Sequence, residues 1–274
     1  MTTVSRRHFL GQGAAGAAAS TLGARAVGAQ DWATAILGKS PRKKEWVPVK
    51  NGARNVDAFV VHPQSTAKAP GIVVIHEIFG MSDWVQNVTD EFAAAGWVAI
   101  APDLLSGMTP DGKPARNLPM SAAGGMINKL PPDQITADLN ACVDYVKGLP
   151  SCNGKVSVVG FSWGGSQCFR FATNRKDLAA AFVFYGSGPD AADMPRIQAP
   201  VYGFYGGNDA RIGASVPPTQ QQMTAANKIF EPVTYEGAGH GFMRSGEDPN
   251  GSEADKKARE AAWVRLKSLV GNSK

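Results

Sequence analysis

Apolar residues are distributed in two different patterns along this chain, and the change between them marks the architecture. Residues 46–50 and 56–62 flank Asn51-Gly52 and read as an antiparallel hairpin closed by a tight turn. From Gly71 onward the pattern becomes short, wholly apolar runs at 71–75, 97–101, 156–159, 180–185 and 201–205, with a further strand ending near Tyr235. Runs of this kind are strands covered on both faces, as in a parallel sheet. Helical segments at 84–95, 132–147, 163–174, 216–227 and 252–269 alternate with them. The last sets Ala258, Ala261, Ala262, Val264 and Leu266 against Lys256, Lys257, Arg259, Arg265 and Lys267, an amphipathic surface helix. Five crossover units behind a hairpin predict an α/β fold: a doubly wound, mostly parallel sheet with an antiparallel N-terminal edge hairpin. Residues 106–130 are irregular, hold Gly107, Gly112, Gly124, Gly125 and several prolines, and follow a strand end where ligands usually sit. They read as a lid or pocket wall, with a plain linker as the alternative.

The first residues follow another logic. Ser5-Arg6-Arg7-His8-Phe9-Leu10 precedes a Gly/Ala stretch and then Ala24-Arg25-Ala26-Val27-Gly28-Ala29, the layout of a twin-arginine export signal. Its apolar core is about a dozen residues, short of the roughly 20 needed to span a bilayer, so cleavage rather than anchoring is expected. Val27 and Ala29 place the cut before Gln30, with a cut after Ala26 as the alternative. The expected organisation is a signal at 1–29, a polar leader at 30–44 and one domain at 45–274, exported to the periplasm or beyond. Removing the signal lowers the formal charge from +5 to +2, so the basic balance belongs partly to the signal. No dense basic stripe with interleaved aromatics remains, which argues against nucleic acid, and Arg42-Lys43-Lys44 reads as solvated surface. Stable membrane insertion is not expected, and the absence of a long exposed apolar stripe favours a monomer. Of the three cysteines, Cys142 and Cys152 make a local disulfide geometrically conceivable, which would leave Cys168 reduced, but a helix residue and one in the loop after it often point apart.

Gly160-Phe161-Ser162-Trp163-Gly164 carries the strongest chemical signal. It follows an apolar strand and opens a helix, the setting of a nucleophile elbow, in which glycines two before and two after the serine permit a sharp turn. A serine hydroxyl needs a base, and the base needs an orienting acid. Past the signal the histidines are His62, His76 and His240. His240 lies in Gly237-Ala238-Gly239-His240-Gly241-Phe242, a flexible loop between the last strand and the last helix, and is the candidate base. Asp209, after a strand and Gly206-Gly207-Asn208, is the candidate acid; Asp190 is the runner-up and Asp103 reads as structural. Acyl transfer also needs two donors for the developing oxyanion. The Trp163 amide supplies one, and the Ile78 amide, in the loop after the strand at 71–75, is the best candidate for the other.

These blocks resemble the dienelactone hydrolase family of α/β-hydrolases. The resemblance runs through His76-Glu77-Ile78-Phe79-Gly80, Ala101-Pro102-Asp103-Leu104, the serine block, Tyr185-Gly186, Gly206-Gly207-Asn208-Asp209 and Tyr235-Glu236-Gly237-Ala238-Gly239-His240-Gly241-Phe242. It covers nearly all of the chain from about residue 45 onward, with 47 residues from Ser162 to Asp209 and 31 from Asp209 to His240. It implies that Glu77 lies in the active site and influences the nucleophile, that Ile78 and Trp163 form the oxyanion hole, and that Arg244 binds a substrate carboxylate. Arg116 is the only arginine in the lid segment and is not assigned this role. One position departs from the pattern. Founding members carry cysteine where Ser162 stands, and an alcohol cannot be ionised in advance as a thiol can.

The expected activity is hydrolysis of small carboxylic esters or lactones through Ser162, His240 and Asp209, without metal or organic cofactor, on a small-molecule substrate that Arg244 hints is anionic. An acyltransferase or small peptidase on the same residues, and a non-catalytic binding protein on the same fold, are the alternatives.

Overall fold

The computed structural model of the protein describes residues 30–109 and 114–271. The segment read as an export signal, 1–29, lies outside the described residues, as do 110–113 of the lid segment. The strands are β1 (Lys44–Asn51), β2 (Arg54–Val61), β3 (Ala69–Ile75), β4 (Val98–Pro102), β5 (Cys152–Phe161), β6 (Ala181–Phe184), β7 (Val201–Gly206) and β8 (Phe230–Tyr235). The helices are α1 (Asp31–Gly38), α2 (Asp83–Ala94), α3 (Met120–Ile127), α4 (Pro132–Gly148), α5 (Trp163–Asn174), α6 (Ala210–Gly213), α7 (Val216–Ala225), α8 (Phe242–Ser245) and α9 (Glu253–Gly271).

All eight strands form one sheet in the order β1-β2-β4-β3-β5-β6-β7-β8. β1 and β2 pair antiparallel with Asn51 opposite Arg54, and β2 pairs antiparallel with β4; every other pair is parallel. The fully apolar runs are the central strands because they are covered twice. One core holds Val73, Ile75, Val158 and Val183 under α4 and α5, and the other holds Ile72, Val74, Val159 and Phe182 under α2 and α9. From β3 the chain moves outward through α2 to β4 and then returns across α4 to β5, on the opposite side of β3. Strand order therefore reverses between β3 and β5, and loops leaving the carboxyl ends of these two strands diverge to leave a crevice.

The structure differs from the sequence reading in two places. The leader at 30–44 is more than polar chain: α1 buries Ala33 and packs on α2, and the Gln30 side chain accepts the Trp84 amide at 2.8 Å. The lid segment contains α3, whose Ala123 and Ile127 are buried. Gly124 of this helix lies over Ile78, where even a Cβ would make only an ordinary contact of 3.6 Å with Ile78 Cγ1. Cys142, Cys152 and Cys168 are all free and buried, so of the two arrangements the sequence leaves open the structure has the one without a local disulfide. Cys142 and Cys168 sit fully enclosed, and burial drives both thiols far up from their ordinary range, which makes them unreactive packing groups. Thiol titration without reductant is thus expected to find almost no reactive thiol in the folded protein and three after denaturation in guanidinium. A count of one after denaturation would mean that a disulfide is present.

Candidate active site

β5 ends at Phe161 and α5 begins at Trp163, so the whole change of direction falls on Ser162, whose backbone adopts φ 54° and ψ −115°. A non-glycine residue rarely occupies that conformation, and it persists only where its surroundings enforce it. Here the enforcement is close backbone packing. A Cβ on Gly164 would collide with the carbonyls of Ile75 and His76, and one on Gly160 would collide with the Gly164 carbonyl. The elbow is thereby pressed onto the end of β3, while the Ser162 amide donates to the Phe184 carbonyl at 3.0 Å on the other side.

Ser162 Oγ lies 2.8 Å from His240 Nε2, and His240 Nδ1 lies 2.5 Å from Asp209 Oδ2. Asp209 caps α6 through its other oxygen, accepting the Ile212 amide at 3.3 Å, and is almost wholly buried. A carboxylate beside Nδ1 keeps the proton there and leaves Nε2 as an acceptor facing the hydroxyl. The imidazole has a further neighbour that the sequence reading gave no role. Tyr185, fully buried at φ 39°, meets the His240 ring edge-on at 5.1 Å and limits its rotation. Its position at the end of β6 was the available signal.

Behind this line lies the loop after β3. Glu77 is buried there and accepts Arg244 Nε at 2.8 Å, so its bonded neighbour is Arg244 rather than Ser162. Burial pushes the Glu77 carboxyl above its ordinary range, and the adjacent Arg244 charge opposes that rise. The Arg244 guanidinium stands 5.4 Å from the Phe79 ring centroid. Only its Nε bonds Glu77, and Nη1 and Nη2 have no protein acceptor among the described residues. The Ile78 and Trp163 amides likewise donate to no protein acceptor among the described residues. His76 links the two loops that carry them: its ring stacks on Trp163 with centroids 5.6 Å apart and planes 13° apart, and its Nδ1 meets the Glu77 carbonyl at 2.8 Å.

The remaining candidates fall elsewhere. Asp190 is exposed at the start of the 3-10 turn Ala191–Arg196, and His62 bonds Glu45 on the edge hairpin. Asp103 is buried and holds the turn after β4 by accepting the Leu105 amide. Arg116 pairs with Asp57 at 3.0 Å and covers the Trp46 ring, which turns it toward the hairpin. No group of three or more His, Cys, Asp or Glu side chains is arranged to hold a metal ion among the described residues.

Comparison with known proteins bears on the family and the fold. Residues 56–273 match the model of the dienelactone hydrolase family. The chain is a member of the dienelactone hydrolase family. An Escherichia coli K12 protein named "Putative carboxymethylenebutenolidase" is 32% identical over 204 residues, covering 69% of this chain and 73% of the relative. Solved structures named for dienelactone hydrolase share the fold. One from Klebsiella pneumoniae has a TM-score of 0.72 at 24% identity, covering 83% of this chain and 97% of that one. One from Anabaena variabilis has a TM-score of 0.60 at 21% identity, covering 80% and 95%. As a dienelactone hydrolase family member the chain is a hydrolase on the α/β-hydrolase fold.

His76 supplies a pH test of this packing. Burial lowers its pKa to about 4 from an ordinary 6.5. The unfolded chain therefore binds a proton between pH 6.5 and 4 that the folded chain refuses. Stability is retained above pH 6.5 and lost as pH falls toward 4, by an amount on the order of 3 kcal/mol. Denaturant melts of wild type and His76→Gln across this range are expected to show wild type losing that much relative to the variant. A pH-independent difference would place His76 in contact with water.

Proposed function

We propose that this dienelactone hydrolase family member is an exported, monomeric enzyme that cleaves small carboxylic esters or lactones, with Ser162 as nucleophile, His240 as base and Asp209 as orienting acid. The observation that carries the reading is the unbroken line from Ser162 Oγ through His240 to Asp209, at 2.8 and 2.5 Å. In the first half-reaction Ser162 Oγ attacks the carbonyl carbon while His240 Nε2 takes the hydroxyl proton. The carbonyl oxygen becomes an oxyanion that the Ile78 and Trp163 amides stabilise. His240 returns the proton to the departing alkoxide, leaving Ser162 acylated. In the second half-reaction His240 deprotonates water, which attacks the acyl carbon, and the acid is released as Ser162 regains its proton.

Arg244 favours an anionic substrate, because its unbonded Nη groups and the fork geometry of guanidinium suit a carboxylate. Glu77 holds Arg244 by Nε rather than opposing the nucleophile, which fits a serine that is deprotonated only during attack. The twin-arginine pattern at Arg6-Arg7 supports export.

Two measurements test the reading. Ser162→Ala is expected to lower kcat on p-nitrophenyl acetate by at least about 10⁴-fold with little change in folding, with His240→Ala comparable and Asp209→Ala less severe. Residual turnover within tenfold of wild type in Ser162→Ala would discard it. Arg244→Ala is expected to raise KM about tenfold for a carboxylated ester such as p-nitrophenyl hemisuccinate while affecting p-nitrophenyl acetate much less. Equal effects on both esters would remove the anionic preference.

A further inference from the structure

Arg244 has to be held in place by something other than its own helix. It lies in α8, a single turn of four residues that is too short to be stable alone. Three residues further on, the Glu247 carboxylate lies under the same surface with its side chain 8% exposed. It takes donors from two elements. Trp84 Nε1 and Asn87 Nδ2, both on α2, reach it at 2.9 and 2.5 Å, and Arg259 Nη2 on α9 reaches it at 2.9 Å. Trp84 and Asn87 are completely buried, so their donors have no water to turn to. Arg259 also donates its Nε to the Met243 carbonyl at 3.1 Å and pairs with Glu91 of α2. The backbone closes the connection, since the Glu247 and Asp248 amides both donate to the Arg244 carbonyl, at 3.1 and 3.2 Å.

Both halves of the Glu77–Arg244 pair therefore rest on one helix. Glu77 is joined to α2 through the loop that ends at Ser82, the N-cap of α2, and Arg244 is joined to α2 through Glu247. Stability alone is a weak reason to bury such a group. An apolar side chain of similar volume often serves a core as well as a buried ion pair does, whereas a carboxylate with three directed donors fixes position. A guanidinium on a flexible stem recognises a carboxylate only if its backbone is fixed to a fraction of an ångström.

We propose that Glu247 is a positioning residue that sets where Arg244 presents its guanidinium, and through it the preference for a carboxylate-bearing substrate. This rests on the role given to Arg244 under the proposed function. Glu247→Ala and the isosteric Glu247→Gln are compared on p-nitrophenyl hemisuccinate and p-nitrophenyl acetate, alone and in Arg244→Ala. Glu247→Ala is expected to raise KM for the hemisuccinate about tenfold more than for the acetate, with kcat much less affected. Glu247→Gln, which still accepts from α2, is expected to recover part of the loss, and in Arg244→Ala the second substitution is expected to add no further discrimination between the esters. A parallel loss on both esters, or an undiminished effect of Glu247→Ala in Arg244→Ala, would make Glu247 merely structural and overturn the proposal. If Arg244→Ala discriminates between the esters but folded Glu247→Ala does not, the proposal fails and the Arg244 reading stands. If Arg244→Ala itself does not discriminate, that reading fails and the proposal falls with it.

Discussion

The whole site depends on one close approach of backbone to backbone. β5 must stop, turn within Ser162 and enter α5 while lying directly on the carboxyl end of β3, and this is possible only because Gly160 and Gly164 carry no Cβ where carbonyl oxygens stand. That contact brings the amide of Trp163 and the loop of Ile78 to the same crevice, with the His76 ring stacked between the two loops. The strained φ of Ser162 is maintained from both sides, by β3 through packing and by β6 through the Phe184 carbonyl. Such strain is held at a site by structure elsewhere that over-determines it.

A second constraint is the burial of Glu77. A carboxylate taken out of water gains proton affinity, and Arg244, 167 residues away along the chain, opposes that rise. The pair orders two loops that share no strand, one leaving β3 and one leaving β8. It also directs the carboxylate's charge to an arginine instead of to Ser162. For a cysteine, a nearby carboxylate can govern how much thiolate exists beforehand. A serine gains nothing comparable, because its proton must leave during attack, and the imidazole 2.8 Å away is the group in position to take it.

The central strands were legible because a parallel sheet covered on both faces writes itself as unbroken apolar runs, and Ser162 was legible because the elbow demands glycine at fixed offsets. The line through His240 and Asp209 followed from chain order and from loops at strand ends. Other features were hidden for physical reasons. α1 is short and mixed in polarity, and its burial comes from α2 rather than from a pattern of its own. α3 is masked by Gly124 and Gly125, residues that usually break a helix. The Glu77–Arg244 pairing and the two α2 donors to Glu247 join residues more than 150 positions apart, and no local periodicity records such a contact. Spacing left a Cys142–Cys152 disulfide open, since it does not tell which way the two side chains point, and both thiols are buried and free.

In the proposed mechanism His240, and not Glu77, makes Ser162 reactive. The rate of covalent labelling of Ser162 by a fluorophosphonate, compared between His240→Ala and Glu77→Gln in folded protein, separates the two. Labelling is expected to be abolished in His240→Ala and retained close to the wild-type rate in Glu77→Gln. Labelling that survives loss of the imidazole but disappears with the Glu77 carboxylate would contradict the mechanism.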